Sequence, residues 1–202
     1  MIAAEDTRHT RKLLSYYDIH TPLTSCFAQN ELRKSREIIG KVKDGLNVAL
    51  VTDAGAPGIS DPGYRLLRMA WQEGVPVVPI PGASAVTAAL SIAGMSAQEF
   101  VFAGYLPPKT GQRRKKLESL AQEERTVVLF ETPHRLPAAL TDMQQILGDR
   151  RMLLAREITK KFEELLHGSA AEIREQLGTR SIRGEITIVL ENEGRSRGFS
   201  PV

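Results

Sequence analysis

At 202 residues, with 42% hydrophobic and 25% charged side chains, the chain has the size and composition of one or two globular domains, which favours a globular protein over a disordered one. A net charge of only +3 excludes a dedicated nucleic-acid coat, although Lys109 to Lys116 gathers five positive charges and no negative one. The lone Cys26 excludes an internal disulfide and a multi-cysteine zinc site, and with no long apolar run and no signal-like opening at Met1 to Asp6, a reducing cytoplasm is the expected setting.

In chain order, Thr7 to Tyr17 reads as a helix with Leu13 and Leu14 inward and Asp6 or Thr7 as its cap. Pro22 to Phe27 reads as a short strand. Asn30 to Lys43 reads as an amphipathic helix offering Leu32, Ile38, Ile39 and Val42 for burial. The apolar run Asn47 to Thr52 predicts a buried strand, and Tyr64 to Trp71 a helix. Val75 to Ile80 predicts another strand, followed by Pro81-Gly82-Ala83-Ser84 and a small-residue helix, Ala85 to Ala93. This alternation predicts parallel βαβ units. After Gly94, strands are expected at Phe100 to Leu106, Thr126 to Glu131, Met152 to Glu157, Phe162 to His167 and Glu185 to Glu191. Helices are expected at Arg113 to Gln122, Leu136 to Leu147 and Ala170 to Leu177. A boundary near Ser96 to Glu99 divides the chain into two α/β lobes, 1–97 and 98–191, and the Gly- and Ser-bearing 192–202 reads as a flexible tail.

The loop Asp53-Ala54-Gly55-Ala56-Pro57-Gly58-Ile59-Ser60-Asp61-Pro62-Gly63 joins strand to helix with three glycines and two prolines. Such a stiff, small loop lets backbone approach a ligand at the carboxyl end of a strand. Pro81 to Ser84 is expected to open on the same side of the sheet, so that the two loops share a crevice. Neither is a Walker loop or a Gly-x-Gly-x-x-Gly fingerprint. Together they suit a small cofactor held by main-chain groups; the plain alternative is a pair of tight turns, with Ser84 as an N-cap.

The Asp53 to Gly63 sequence resembles the signature of the bacterial 16S ribosomal RNA cytidine 2′-O-methyltransferases, a family of the tetrapyrrole methylase superfamily. Shorter similarities follow in order: Ala4 to Thr10, Pro81 to Ala85, Gly104 to Pro107, Glu131 to Arg135, Ala155 to Lys160, and Gly184-Glu185. The resemblance implies a two-lobed α/β fold of the class III S-adenosylmethionine methyltransferases. It implies that Gly55, Ala56, Pro57, Ile59, Ser84, Ala85, Phe130, Ala155, Glu185 and Ile186 line the S-adenosyl-L-methionine site. Backbone carbonyls suit a cationic S–CH3 group through weak C–H···O contacts, and no metal is expected. The family begins with a further strand and loop, about one βα unit ahead of Ile2, and ends in a short helical extension. This chain is expected to lack both.

Methyl transfer to a ribose hydroxyl needs alignment, exclusion of water and a proton acceptor. On the matched motifs the candidates are Glu5, Asp6 and Glu157, ahead of His9 and His134; helix capping by Asp6 and ion pairing by Glu157 are the alternatives. Asp53 and Asp61 are expected to brace their loop. Arg8, Arg113, Arg114, Arg135 and Lys160, with Arg11, Lys12 and Lys115, are the expected contacts to 16S rRNA in the small ribosomal subunit. A homodimer is expected, with Tyr16, Tyr17, Trp71 and the helix from Ala85 as interface candidates. The competing readings are a methylase of the same superfamily acting on a tetrapyrrole or diphthine intermediate, and a noncatalytic RNA-binding or dimerisation module.

Overall fold

The computed structural model describes residues 1–191; the tail expected at 192–202 lies outside them. Packing divides the chain into two units, Met1–Ser84 and one beginning at Ala85.

The first unit runs β1 (Ile2–Ala4), α1 (Thr7–Tyr16), β2 (Leu23–Ser25), α2 (Glu31–Lys43), β3 (Ala49–Val51) and α3 (Tyr64–Gln72). Its sheet is parallel, in the order β2-β1-β3, with Ile2 opposite both Leu23 and Ala49. The central strand is one that periodicity does not announce. Ile-Ala-Ala is too short and too weakly β-forming to stand out, yet it is paired on both sides. Ala3 is fully buried with Cys26, Ile38 and Ile39 of α2, and Leu66 and Ala70 of α3. On α1, Leu14 turns inward as expected, whereas Leu13 is 57% exposed; Leu32 of α2 is likewise outside. Asp6 caps α1, its side chain accepting the Arg8 N–H at 2.8 Å.

The strand expected at Val75 to Ile80 does not form. Pro76 and Pro79 carry no N–H for a ladder. Val75 and Val77 pack on the core of this unit, while Val78 and Ile80 are exposed. The first unit therefore has one glycine loop at a strand end, not two.

The second unit holds α4 (Ala85–Ile92), β4 (Phe100–Tyr105), α5 (Thr110–Ala121), β5 (Thr126–Glu131), α6 (Leu136–Leu147), β6 (Met152–Arg156), β7 (Glu164–Gly168), α7 (Ala170–Leu177) and β8 (Ile186–Leu190). The sheet order is β4-β5-β8-β6-β7. Only β4 and β5 are parallel, so this sheet is mixed, and the parallel pattern belongs to the first unit. Strand alternation sorts the side chains onto two faces. Val127 and Leu129, Met152 and Leu154, and Ile186, Ile188 and Leu190 meet α5, α6 and α7. Val128, Leu153, Ala155 and Val189 face the other way, against Val86, Ala89 and Leu90 of α4. The helix suggested as a subunit interface thus covers its own sheet. That packing places the division at Ser84/Ala85, ahead of the compositional break at 96–99.

Candidate functional site

In the first unit the signature loop is fixed from outside. Glu31, at the start of α2 and 6% exposed, accepts the Gly63 N–H at 2.9 Å and the Arg65 N–H at 2.8 Å with one carboxylate oxygen. These amides lie at the N-terminus of α3, where donors lack intrahelical partners and negative charge is favoured. Gly63 has a φ of +142°, and a Cβ there would sit 3.0 Å from the Gly58 nitrogen and 3.1 Å from Leu50. The loop closes on itself through Gly58 N–H to Pro62 O and Ile59 N–H to Ala56 O. What remains outside is the part expected to meet a cofactor: Gly55 and Ala56 are exposed, and Ile59 is 49% exposed. Exposed main chain, a left-handed Gly55 (φ +68°) and an open apolar side chain form a donor set that fits a small cationic thioether derivative.

Replacing Glu31 by alanine removes a buried anion and strands two amides. The variant is expected to lose about 3 kcal/mol, on the scale of charged hydrogen bonds and unsatisfied buried donors. Glu31→Gln, which keeps an acceptor, is expected to lose about 1 kcal/mol. Urea unfolding midpoints at neutral pH check this, and equal midpoints for the three proteins would refute the bracing role.

Glu5 follows β1, beside the same loop, and its Oε2 accepts the Asp53 N–H at 3.3 Å. The loop's bracing carboxylates thus include two from outside it, Glu5 and Glu31, where only Asp53 and Asp61 were expected. Asp6 is otherwise occupied: besides capping α1 it takes two bonds from the Arg8 guanidinium, at 3.2 and 2.8 Å. The Arg8 guanidinium holds the Asp6 carboxyl well below the usual carboxylate range. An acid so stabilised as its anion is a poor proton acceptor. Pairing with Asp6 fixes one edge of Arg8, whose side chain stays 88% exposed. Ser84 directly precedes α4, and both Ser84 and Ala85 are partly exposed.

The second unit brings the remaining candidates into two groups. Phe130, at the end of β5, stacks edge-on to Phe102 at 4.9 Å and tilts against Tyr105 at 5.6 Å. A register shift at Gly104 (φ +65°) re-aims Tyr105 toward this cluster. Arg135 lies 5.9 Å over the Tyr105 ring, donates to Thr132 Oγ1 at 2.8 Å and pairs with Glu131 at 3.1 Å. Glu131 is 2% exposed. Its Oε1 accepts the Thr132 N–H at 2.7 Å, while its buried Oε2 has no partner among the described residues. The sequence points to Glu131 only as part of a motif; in the structure it is buried and paired with Arg135.

In the second group, Glu157 accepts the Glu185 N–H at 2.8 Å and pairs with Lys160 at 3.3 Å; Lys160 also reaches Glu185 at 2.9 Å. The Glu185 N–H foremost, then Lys160, keeps the Glu157 carboxyl below its ordinary value. Bonds that stabilise the Glu157 anion make it a weaker proton acceptor, which suits a bracket better than a base. A Cβ on Gly184 would sit 2.4 Å from Glu157 Cγ, so glycine there is what admits the bracket.

Three expectations are corrected here. Ala155 (0% exposed) and Ile186 (2%) point into the two cores, so they back the strand ends and present no surface. Arg113 is also buried, at 5% exposure, with its Nε 2.7 Å from Asp142. A run of charges in the sequence carries no phase information, and the helical turn at Arg113 faces α6. Arg114 shares Asp142 at 2.8 Å but keeps an exposed flank.

Comparison with known proteins follows the same lines. Residues 1–174 match the family described as Tetrapyrrole (Corrin/Porphyrin) Methylases. A ribosomal RNA small subunit methyltransferase I from Neisseria meningitidis serogroup A is 48% identical over 193 residues, covering 94% of this chain and 66% of that protein. The protein of the same name from Thermotoga maritima is 42% identical over 193 residues, covering 96% and 86%. The chain thus spans about two thirds of the length of the Neisseria relative. Among solved structures, a uroporphyrin-III C-methyltransferase from Thermus thermophilus, complexed with S-adenosyl homocysteine, superposes with a TM-score of 0.58 at 16% identity, covering 94% of this chain and 84% of that one. With its signature loop, its two α/β units and these matches, the chain belongs to the tetrapyrrole methylase family, among the ribosomal RNA small subunit methyltransferases I.

Proposed function

We propose that this chain carries the catalytic core of an S-adenosylmethionine-dependent methyltransferase acting on a cytidine 2′-hydroxyl in small-subunit ribosomal RNA. The single observation that supports it most is the signature loop itself: braced by Glu31 and Glu5, it leaves Gly55 and Ala56 exposed. S-adenosylmethionine supplies a methyl carbon activated by positive sulfur. Gly55, Ala56 and Pro57, with Ile59, hold and orient the sulfonium end. Ser84 is the first unit's remaining candidate contact, and Ala85 and Glu185 are candidates of the second unit. Phe130, stiffened by Phe102 and Tyr105, is the flat aromatic surface among the second unit's own cofactor candidates.

Of the three carboxylates considered, Glu5 is the proton acceptor in this reading. Asp6 is committed to Arg8 and to its helix, and Glu157 to Glu185 and Lys160. Among the described residues the Glu5 side chain takes one hydrogen bond, from the Asp53 N–H on Oε2. Arg8, Arg114, Arg135 and Lys160 position RNA phosphates; buried Arg113 does not join them. The protein acts in the cytoplasm as a homodimer, for which exposed Tyr16, Tyr17 and Trp71 offer a surface.

The test is to incubate the protein with methyl-labelled S-adenosylmethionine and small ribosomal subunits lacking the modification. Label is expected in RNA, at one linkage that resists alkali. Label at an alkali-labile site would move the target off the ribose. No label in RNA, with transfer to a tetrapyrrole acceptor, would support the competing enzyme.

A further inference from the structure

The turn between β6 and β7 and the segment leading into β8 enclose a cleft of about 280 Å³, lined in part by Arg156, Phe162, Arg180 and Arg183. This volume is just under the usual range for small-ligand pockets, roughly 300–1,000 Å³, and suits one planar group. Phe162 is 64% exposed, an unusual position for a phenyl ring amid charges. Lys161 Nζ lies 5.6 Å over that ring. Around it, Glu164 is held between Arg156 (2.9 Å) and Arg180, and Arg156 also donates to the Arg183 carbonyl at 3.2 Å. One acidic side chain therefore ties two arginines and fixes the segment. Arg183 is exposed in the lining, and the cleft's three arginines outnumber its two glutamates, Glu157 and Glu164, by one positive charge; Lys161 lies next to Phe162 in sequence.

The turn that presents Phe162 is itself rigid. Glu157 and Thr159 are left-handed, with φ of +48° and +64°, conformations that non-glycine residues adopt at a cost. They are secured by Lys160 N–H to Glu157 O at 2.9 Å, Glu163 N–H to Lys160 O at 3.1 Å, and Thr159 N–H to the Glu163 carboxylate at 2.5 Å. An exposed aromatic on a preorganised turn, flanked by cations, is the arrangement that stacks a nucleobase and holds its phosphate.

We infer that this cleft is a subsite for one unstacked nucleotide of the RNA substrate, its base on Phe162 and its phosphate against Arg183 and Lys161. The inference rests on the ribosomal RNA reading above and adds a place where the strand is gripped. In steady-state methylation of small subunits, Phe162→Ala is expected to raise the KM for subunits about tenfold, within the range for one base–aromatic stack. The dissociation constant for S-adenosylmethionine and kcat at saturating subunits should change less than about twofold. Phe162→Tyr, which keeps the ring, should restore the KM. Arg183→Gln should also raise it and flatten its salt dependence. An unchanged KM in Phe162→Ala, or no rescue by tyrosine, overturns the subsite while leaving the methyltransferase reading intact. A change in sedimentation of Phe162→Ala from dimer to monomer, with KM unchanged, would assign the ring to a protein interface. Absence of both RNA binding and RNA methylation by the unaltered protein overturns the two readings together.

Discussion

Glu5→Gln is expected to lower kcat for RNA methylation by at least about 100-fold, the lower end of what a positioned general base supplies. The substitution is chosen because it separates two jobs. The carboxamide oxygen can still accept the Asp53 N–H, now 3.3 Å from Glu5 Oε2, so the loop bond survives. What the amide cannot do is take a proton. Affinity for S-adenosylmethionine and the unfolding midpoint should therefore stay near those of the parent protein. Glu5→Ala removes both functions and should weaken cofactor binding as well. Asp6→Asn serves as the contrast. Asparagine caps helices about as well as aspartate, so this variant should keep most of its activity. If Glu5→Gln retains more than about a tenth of the rate, its carboxylate only braces the loop, and the proton goes elsewhere.

Those expectations show where sequence reasoning reaches and where it stops. The bounds of α6 and α7 are legible to the residue, because Leu136 to Leu147 and Ala170 to Leu177 have apolar helical spacing between clear breakers. Gly148 and Gly178 close both helices, and Ser169 with Glu172 forms a capping box on the second. Strands β5, β6 and β8 are legible for a similar reason, since burial on both faces makes them continuous apolar runs. By contrast, β1 is three residues long and owes its state to neighbours on either side, which no local window contains. Val75 to Ile80 has the composition of a strand but two prolines and no hydrogen-bonding partner strand. At the site, the glycine loop is legible because positive φ and close approach demand glycine. Its brace is not: Glu31 lies 32 residues from Gly63 and, in sequence, looks like an ordinary acid at the start of a helix.

The same blindness to phase misplaced Arg113, and the correction carries the largest expected change in stability. Asp142→Ala should destabilise the protein by about 3–5 kcal/mol, the usual cost of leaving a buried charge unpaired. Asp142 and Arg113 are each 5% exposed, and their 2.7 Å contact ties α6 to α5. Arg114, whose side chain is 37% exposed, contributes less because water screens it. Burial pushes the Asp142 carboxyl up, but hydrogen bonds from Arg113 and Arg114 outweigh this and hold it below its ordinary value. The pair's pH-linked stabilisation is then complete above the unfolded-state value near 4 and fades as pH falls below it toward the folded value. Urea unfolding should show the wild-type advantage over Asp142→Ala at pH 7 and a narrower gap below about pH 4. The double variant Arg113→Met/Asp142→Leu replaces the pair with apolar volume and should recover most of the loss, since such exchanges are often neutral. It also decides the role of Arg113 in RNA binding. A buried structural cation can be removed with its partner and leave the KM for small subunits within about twofold of the parent value. A rise of about tenfold, about 1.4 kcal/mol, in a protein of restored stability would return Arg113 to the RNA-binding surface.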